Sequence, residues 1–153
     1  MRLLLTAVIL FSFQITTARS SQFKPDYFLK FKWLDNKIYS DIILYTTKYN
    51  LDPKLVCSLY HRESKGKIKA IGKAGEIGIG QVKPVHYPEG SAKDLFNPTK
   101  NIMASCRYLN QCKTKARGDI NTTLRYYNAG CNNKLENYKN WQYISDIRIL
   151  MEI

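Results

Sequence analysis

The sequence has few residues of the kind that build metal sites, and it has no complete motif for binding phosphate or nucleic acid. Its two histidines, His61 and His86, lie at no ligand spacing to the cysteines, and no CxxC pair occurs, so a zinc site is not expected. The stretch 66–73 has five residues rather than four between its glycines and therefore fails as a phosphate loop. No zinc-finger, RNP or basic-helix pattern is present. We accordingly predict no metal, no organic cofactor and no nucleic-acid partner.

Long apolar runs are also absent, except for one at the start of the chain. Residues 3–18 are uncharged, but this run of 16 residues is shorter than the roughly 20 that a membrane span needs. It follows Arg2 and ends in small residues, which is typical of a secretory signal peptide. We predict a signal peptide over residues 1–18 and a periplasmic or cell-envelope location, without a stable membrane span after cleavage. An uncleaved membrane anchor is the alternative.

Four cysteines follow the predicted signal peptide, and an even number in a secreted chain indicates two disulfides. They are Cys57, Cys106, Cys112 and Cys131. Cys106 and Cys112 lie six positions apart on one predicted helix, so they face different directions and should not bond each other. We expect Cys57 to be bonded to one of these two cysteines and Cys131 to the other.

Acidic residues are scarce relative to basic ones. The chain has 24 Lys and Arg against 12 Asp and Glu, a formal charge of +12. A basic exported protein suits an anionic polymer such as cell wall, acidic lipid or nucleic acid, although the last has no motif to support it. The lysines are spread along the chain rather than clustered, so most of them are expected to form a solvated surface.

Paired strand patterns are missing, whereas helical periodicity recurs after residue 37, which predicts a mainly α single domain over residues 37–153. Residues 65–81 carry no period and are predicted to form a long loop. Residues 19–36 mix aromatics and lysines and are treated as a separate N-terminal segment that could dock a partner. Helices are predicted from Ile38 to Tyr49, from the Asp52-Pro53 start to Glu63, from near Thr99, from Asp119 to Gly130, and in the tail through Trp141, Ile144, Ile147 and Leu150.

One glutamate continues an apolar helix face. Leu51, Leu55, Leu59 and Glu63 fall four apart, so the stripe ends in a carboxylate. Charged groups are seldom buried without a partner, and a buried Glu63 would therefore indicate function. The alternative is a glutamate that points along the edge into solvent. A buried acid in a cleft lined by amides is what cleavage of a sugar chain requires.

Five motifs, in order across residues 38–140, resemble those of the soluble lytic transglycosylase domain, a member of the lysozyme-like superfamily. They are Glu63-Ser64, the glycine-rich loop 75–81, Leu95-Phe96-Asn97-Pro98, Asn101-Ile102 with Tyr108-Leu109, and Tyr127-Asn128-Ala129-Gly130. The resemblance implies a lysozyme-like fold. The small size also resembles specialised transglycosylases that accompany secretion and conjugation complexes, so such a complex is a candidate partner.

The resemblance assigns roles to five residues. Glu63 matches the acid that protonates the β-1,4 bond between MurNAc and GlcNAc in peptidoglycan, then accepts the proton of the MurNAc 6-hydroxyl, leaving a 1,6-anhydro sugar. Ser64 matches a position that supports substrate and acid, and Gln81 an amide that contacts the glycan. Tyr127 matches a tyrosine that helps hold the acid, and Asn128 a neighbouring position that is more structural. To donate a proton near neutral pH, Glu63 needs a raised pKa.

Three positions depart from the family pattern, and they leave two other functions open. Gly80 replaces a methionine that would line the cleft, and Lys83 replaces an apolar residue, so we expect a more open or more cationic cleft. Glu76 replaces a small residue. If Glu76 enters the cleft, a lysozyme-type hydrolase with a second carboxylate becomes possible; if it caps its own loop, the transglycosylase interpretation is retained. A non-catalytic wall-binding protein is the third hypothesis.

Overall fold

The computed structural model of the protein describes residues 24–152, and the predicted signal peptide lies outside them. Helices account for most of the described chain, and the only β-structure in it is two isolated bridges, Ile71–Ile77 and Ile77–Val82. The helices are α1 (Asp26–Leu29), α2 (Asn36–Lys48), α3 (Pro53–Ser64), α4 (Pro98–Lys115), α5 (Ile120–Ala129) and α6 (Trp141–Glu152), with short 3-10 helices at Pro84–His86 and Ala92–Phe96. No helix within residues 24–152 has the length and apolar character needed to cross a bilayer.

Side-chain caps determine where four of these helices begin. Each cap oxygen accepts a hydrogen bond from a backbone N–H of the first turn, which would otherwise lack a partner. Proline at the first position of α3 and α4 costs no bond, because that N–H is unpaired in any helix. The capping residues are Asp35 for α2, Asp52 for α3, Asn97 for α4 and Asp119 for α5. The predicted starts of α3 and α5 are confirmed.

The main core is formed where α3 packs against α2 and α6, and where α4 packs against α2 and α5. Its fully buried side chains include Ile42, Leu59, Leu109 and Leu124. Burying a side chain of this size stabilises a fold by about 1.5–3 kcal/mol. This core gives α3 a fixed position, and α3 carries Glu63.

A smaller apolar cluster lies under the long loop after α3. It contains Ile77, Val82, Tyr87, Leu95 and Ala104. These side chains come from the loop, from the 3-10 helices and from α4, so the cluster fastens an otherwise irregular segment to the helical part. The 65–81 stretch is thus a loop, as predicted, with a defined shape.

The described part of the 19–36 segment packs into the main core. Phe28, Phe31 and Leu34 are 3–5% exposed, and the Trp33 indole N–H donates to Nδ1 of His61 at 3.2 Å. Trp33 also covers Gly66, where an added Cβ would lie 2.2 Å from the indole ring. These aromatic side chains are therefore part of the fold and cover the end of α3, and the idea that they are exposed for a partner is wrong.

The structure contains one disulfide among the described residues, Cys112–Cys131, rather than the two expected. Cys57 and Cys106 are buried free thiols. The Tyr60 hydroxyl lies 3.6 Å from Sγ of Cys106, and burial raises the pKa of the Cys106 thiol to about 12. Both free cysteines pack as small apolar groups in the core.

Candidate active site

Helix α3 ends directly after the predicted acid. Lys65 adopts the left-handed conformation with φ +53°, and its N–H donates to the His61 carbonyl. Gly66 follows with φ +76°, a value that favours glycine. The chain therefore turns away at once, and Glu63 lies in the last turn of the helix with its side chain at the edge of a cleft.

Glu63 is half-buried and lines a cleft of about 490 Å³. Burial raises the pKa of its carboxyl to about 7, with a smaller upward contribution from Glu76. A hydrogen bond from the Tyr143 hydroxyl to Oε1 of Glu63 opposes this rise, as does the positive charge of Arg62. At neutral pH a large fraction of Glu63 is therefore protonated, which a general acid requires.

Tyr143 is a site residue that the sequence analysis missed. It lies on α6, is 2% exposed, and its pKa is raised well above the usual value by burial. Arg62 and Asp146 form an ion pair with Nε and Oδ2 2.8 Å apart, which links α3 to α6 beside this contact. The available signal was the spacing of Tyr143 and Ile147, which are four apart and share a helix face.

The tyrosine that the sequence did predict, Tyr127, makes no hydrogen bond to the acid. Its hydroxyl donates to the Gly80 carbonyl at 2.7 Å, although the ring lines the cleft. Ser64 likewise turns away from the cleft and donates to the Ile79 carbonyl at 2.8 Å. Both side chains hold the glycine-rich loop against the helices, and the roles expected for them toward the acid and the substrate stay predictions.

A third side chain, Asn101 of α4, completes this attachment of the loop. Its Nδ2 donates to the carbonyls of Ile77 at 2.8 Å and Leu95 at 2.9 Å, and its Oδ1 accepts from the Gly80 N–H at 2.9 Å. Asn101 is completely buried. Three helices thus bond one short loop segment, which determines where the loop's functional side chains lie relative to Glu63.

Gly80 does not open the cleft. An added Cβ there would lie 2.7 Å from Cβ of Ser105 and 3.0 Å from the Tyr60 ring, and the Tyr60 and Ser105 hydroxyls are 2.5 Å apart. These two side chains occupy the space behind the loop. The expected widening is therefore wrong at this position, because Gly80 allows a close approach to α3 and α4.

Gln81 and Glu76 both line the cleft with Glu63. Gln81 has φ +50° and donates from Nε2 to the Gly78 carbonyl at 2.9 Å, which leaves its amide oxygen facing the loop and cleft. Glu76 accepts the Ala74 N–H on Oε2 at 3.0 Å, and its Oε1 lies 3.5 Å from Nζ of Lys83. Glu76 therefore does both: its side chain lines the cleft, and it also caps its own loop.

The opposite wall of the cleft comes from α4, α5 and the segment after α5. His86 stacks on Tyr108 with ring centroids 3.9 Å apart, and burial lowers the pKa of His86. Asn128 is exposed, and its Oδ1 accepts from the Tyr138 hydroxyl at 3.1 Å.

Lys83 lines the cleft with Lys73, so the cationic lining expected from Lys83 is present. No cluster of metal ligands occurs among residues 24–152.

The domain is helical, and one partly buried acid lines a cleft together with a loop of glycines and amides. This arrangement defines the lysozyme-like class of proteins. Comparison with known families is consistent with this architecture. The family model described as the transglycosylase SLT domain matches residues 40–149. Because this match spans most of the chain, the protein belongs to the SLT-domain family.

Two relatives illustrate the range of the family. The chain is 31% identical to a transglycosylase of Enterobacteria phage PRD1 over 87 residues, which cover 57% of this chain and 32% of the relative. It is 33% identical to the membrane-bound lytic murein transglycosylase E of Buchnera aphidicola, with 60% of this chain and 48% of the relative covered. The chain therefore spans half or less of the length of these relatives.

Proposed function

We propose that the protein is a peptidoglycan lytic transglycosylase that cleaves the MurNAc–GlcNAc β-1,4 bond. The observation that carries the proposal is the state of Glu63, a cleft carboxyl whose pKa is raised to about 7 by burial. Such a group can donate a proton and later accept one at the same pH. Membership of the SLT-domain family supports the same chemistry.

In the proposed reaction Glu63 acts twice. Its O–H protonates the glycosidic oxygen while the bond from that oxygen to C1 of MurNAc breaks. The resulting carboxylate then accepts the proton of the MurNAc 6-hydroxyl, whose oxygen bonds C1 and closes the 1,6-anhydro ring. The Tyr143 hydroxyl and the Arg62 charge stabilise the carboxylate formed between the two steps. No water is consumed, and Glu63 ends protonated.

Digestion of purified peptidoglycan, followed by mass spectrometry of the released muropeptides, tests this proposal. We expect anhydro-MurNAc ends, which are lighter than hydrolysed ends by one water. Glu63→Gln should reduce release at least about 100-fold, because it removes the proposed proton donor, while Glu136→Gln, an exposed glutamate, should match the wild type. Full activity in Glu63→Gln would contradict the proposal, and no release by the wild type would favour the wall-binding alternative.

A lysozyme-type hydrolase is the second candidate, because Glu76 lines the same cleft as Glu63. It would use Glu76 to stabilise positive charge at C1 or to position water. The bond that Glu76 accepts from Ala74 and its proximity to Lys83 favour a loop role instead. Reducing ends that disappear in Glu76→Gln would establish the hydrolase; anhydro ends that persist in Glu76→Gln would exclude it.

The site of action is proposed with the reaction. Peptidoglycan as substrate implies the periplasm or cell envelope, and we propose that local wall opening serves assembly of a secretion or conjugation apparatus. The resemblance to small specialised transglycosylases supports this role. Loss of apparatus assembly in a deletion strain, restored by the wild type but not by Glu63→Gln, would be the expected result; assembly in the deletion strain would contradict it.

A further inference from the structure

A second cavity of about 510 Å³ opens beside the catalytic cleft. Its lining comes from the segment between α5 and α6, and it contains Asn133, Lys134, Asn137, Tyr138, Lys139 and Asn140. Asn128, Ala129 and Asn133 line both this side cavity and the cleft. The two spaces therefore meet, and together they form a branched surface rather than a straight groove.

The wall of the side cavity is held at three points, although it contains no regular element. The Cys112–Cys131 disulfide fixes its start to α4. Arg125 donates to the Leu135 carbonyl at 2.7 Å and lies over the Tyr138 ring. A wall attached in this way presents its amides in defined positions, which lowers the entropic cost of binding.

The amide of Asn128 has a defined orientation at the junction of the two cavities. Its Oδ1 accepts from the Tyr138 hydroxyl at 3.1 Å and from Nδ2 of Asn140 at 3.3 Å. The amide group can satisfy both donors only with its oxygen on that side. The Nδ2 of Asn128 has no partner within residues 24–152 and is left to donate to a carbonyl or hydroxyl of a ligand.

The side cavity is also cationic. Lys134 and Lys139 line it, both are exposed, and neither has a carboxylate partner among the described residues. Glu136 lies between them in sequence but does not line the cavity. Amide side chains bond peptide groups through both donors and acceptors, and lysines attract carboxylates. The chemistry of the lining therefore suits a short peptide with free carboxylates.

We propose that the side cavity binds the peptide stem of peptidoglycan while the glycan lies in the cleft. Peptidoglycan is itself branched, because a peptide with free carboxylates leaves the glycan at each MurNAc. Glu63 and Asn128 line the same cleft, and Asn128 also lines the side cavity, so a strand bound at Glu63 could direct a stem toward the place where the two cavities meet. The inference rests on the proposed function, and it makes the enzyme selective for strands that retain their stems.

The test compares cleavage of glycan strands that carry tetrapeptide stems with cleavage of the same strands after enzymatic removal of the stems. We expect wild-type kcat/KM to be higher on stem-bearing strands, and the ratio of the two values to fall about three- to tenfold in the double variant Lys134→Ala, Lys139→Ala. The double variant Lys32→Ala, Lys93→Ala removes the same charge from exposed positions elsewhere and should keep the wild-type ratio. Equal rates on both substrates, or an equal fall in both double variants, would overturn the proposal.

Titration with the soluble stem tetrapeptide separates this inference from the proposed reaction. We expect shifts in the amide NMR signals of Asn133 and Asn137 in the wild type and their loss in Lys134→Ala, Lys139→Ala. If neither the stem-bearing nor the stem-free strands are cleaved, the proposed function fails. The peptide titration then decides by itself whether the side cavity binds the stem. Absence of these shifts in the wild type would overturn the stem site.

Discussion

At the scale of single residues, the pKa of Glu63 results from opposing effects that separate variants can isolate. Tyr143→Phe removes the hydrogen bond that stabilises the carboxylate, so the pKa of Glu63 should rise. The fall in rate at alkaline pH should then move to higher pH, while the maximal rate drops about 10- to 100-fold, since a hydrogen bond to a charged group contributes about 1.5–3 kcal/mol. The pH profile of muropeptide release measures both effects.

The control for this variant is Tyr126→Phe, which lies on the same helix as Tyr127. The hydroxyl bonded to Glu63 is that of Tyr143 and not that of Tyr126. Its pH profile should match the wild type. A Tyr143→Phe profile with an unmoved alkaline limb would mean that the hydroxyl does not act on Glu63.

The same carboxyl links folding stability to pH. Its pKa is about 7 in the folded protein against an ordinary 4.5, so the folded state binds the proton more tightly than the unfolded state. The free energy of unfolding should therefore fall as pH rises from about 4.5 through 7, by up to about 3 kcal/mol. Glu63→Gln lacks this loss and should be the more stable protein at pH 8 but not at pH 4.

Urea denaturation at pH 4, 6 and 8 measures this difference. Glu136→Gln should follow the wild-type curve, because that exposed glutamate has no comparable burial. If Glu63→Gln lost as much stability as the wild type between pH 4 and pH 8, another group would have to be responsible.

At the scale of elements, the glycine-rich loop depends on close approach at Gly78. This residue has φ +76°, and an added Cβ would lie 2.3 Å from Nδ2 of Asn101 and 2.7 Å from the Leu95 carbonyl. Gly75 has φ +83° but open space around it. We expect Gly75→Ala to cost about 1 kcal/mol from backbone conformation alone, and Gly78→Ala to cost about 2–4 kcal/mol because Asn101 must also move.

Chemical denaturation and muropeptide release of the two variants give the comparison. Gly78→Ala should lose activity as well as stability, since Gln81 and Glu76 belong to the displaced loop. Equal costs in the two variants would show that the attachment of the loop by Asn101 is not what holds it.

Helix starts and ends were largely predictable from the sequence, whereas contacts between distant elements were not. Asp52-Pro53, Asp119 and Gly130 are local signals, and the structure places helix ends at them. Tyr143 and Glu63 are 80 positions apart, and their hydrogen bond follows only from the packing of α6 on α3. The tail periodicity included Trp141, which is 55% exposed, and so it indicated the helix but not the face that meets the acid.

The N-terminal aromatics show the same limit. Phe28 lies in the four-residue helix α1, while Phe31 and Leu34 lie in the irregular segment between α1 and α2, so no extended helical period marks these residues. A segment without periodicity is therefore predicted to be separate from the domain, although these three side chains are buried in the main core. Burial in such a segment depends on tertiary packing and not on its own pattern.

At the scale of the whole molecule, the Cys112–Cys131 bond closes a loop with a sequence separation of 19. The double variant Cys112→Ser, Cys131→Ser should lose about 3 kcal/mol of stability, because the unfolded chain gains conformational freedom. Denaturation with and without a reductant provides the control. The wild type should lose the same amount on reduction, and the double variant should not respond; a reductant-sensitive double variant would point to another disulfide.

The contact between Tyr143 and Glu63 also bears on when the protein becomes active during its synthesis. Residue 63 is translated eighty positions before residue 143, and α3 can dock on α2 and the loop while α6 is still being made. The acid acquires its hydrogen-bond partner only after the last described helix has folded against α3. A chain still being made therefore carries an incomplete site, and the proposed cleavage would require α6 to be in place.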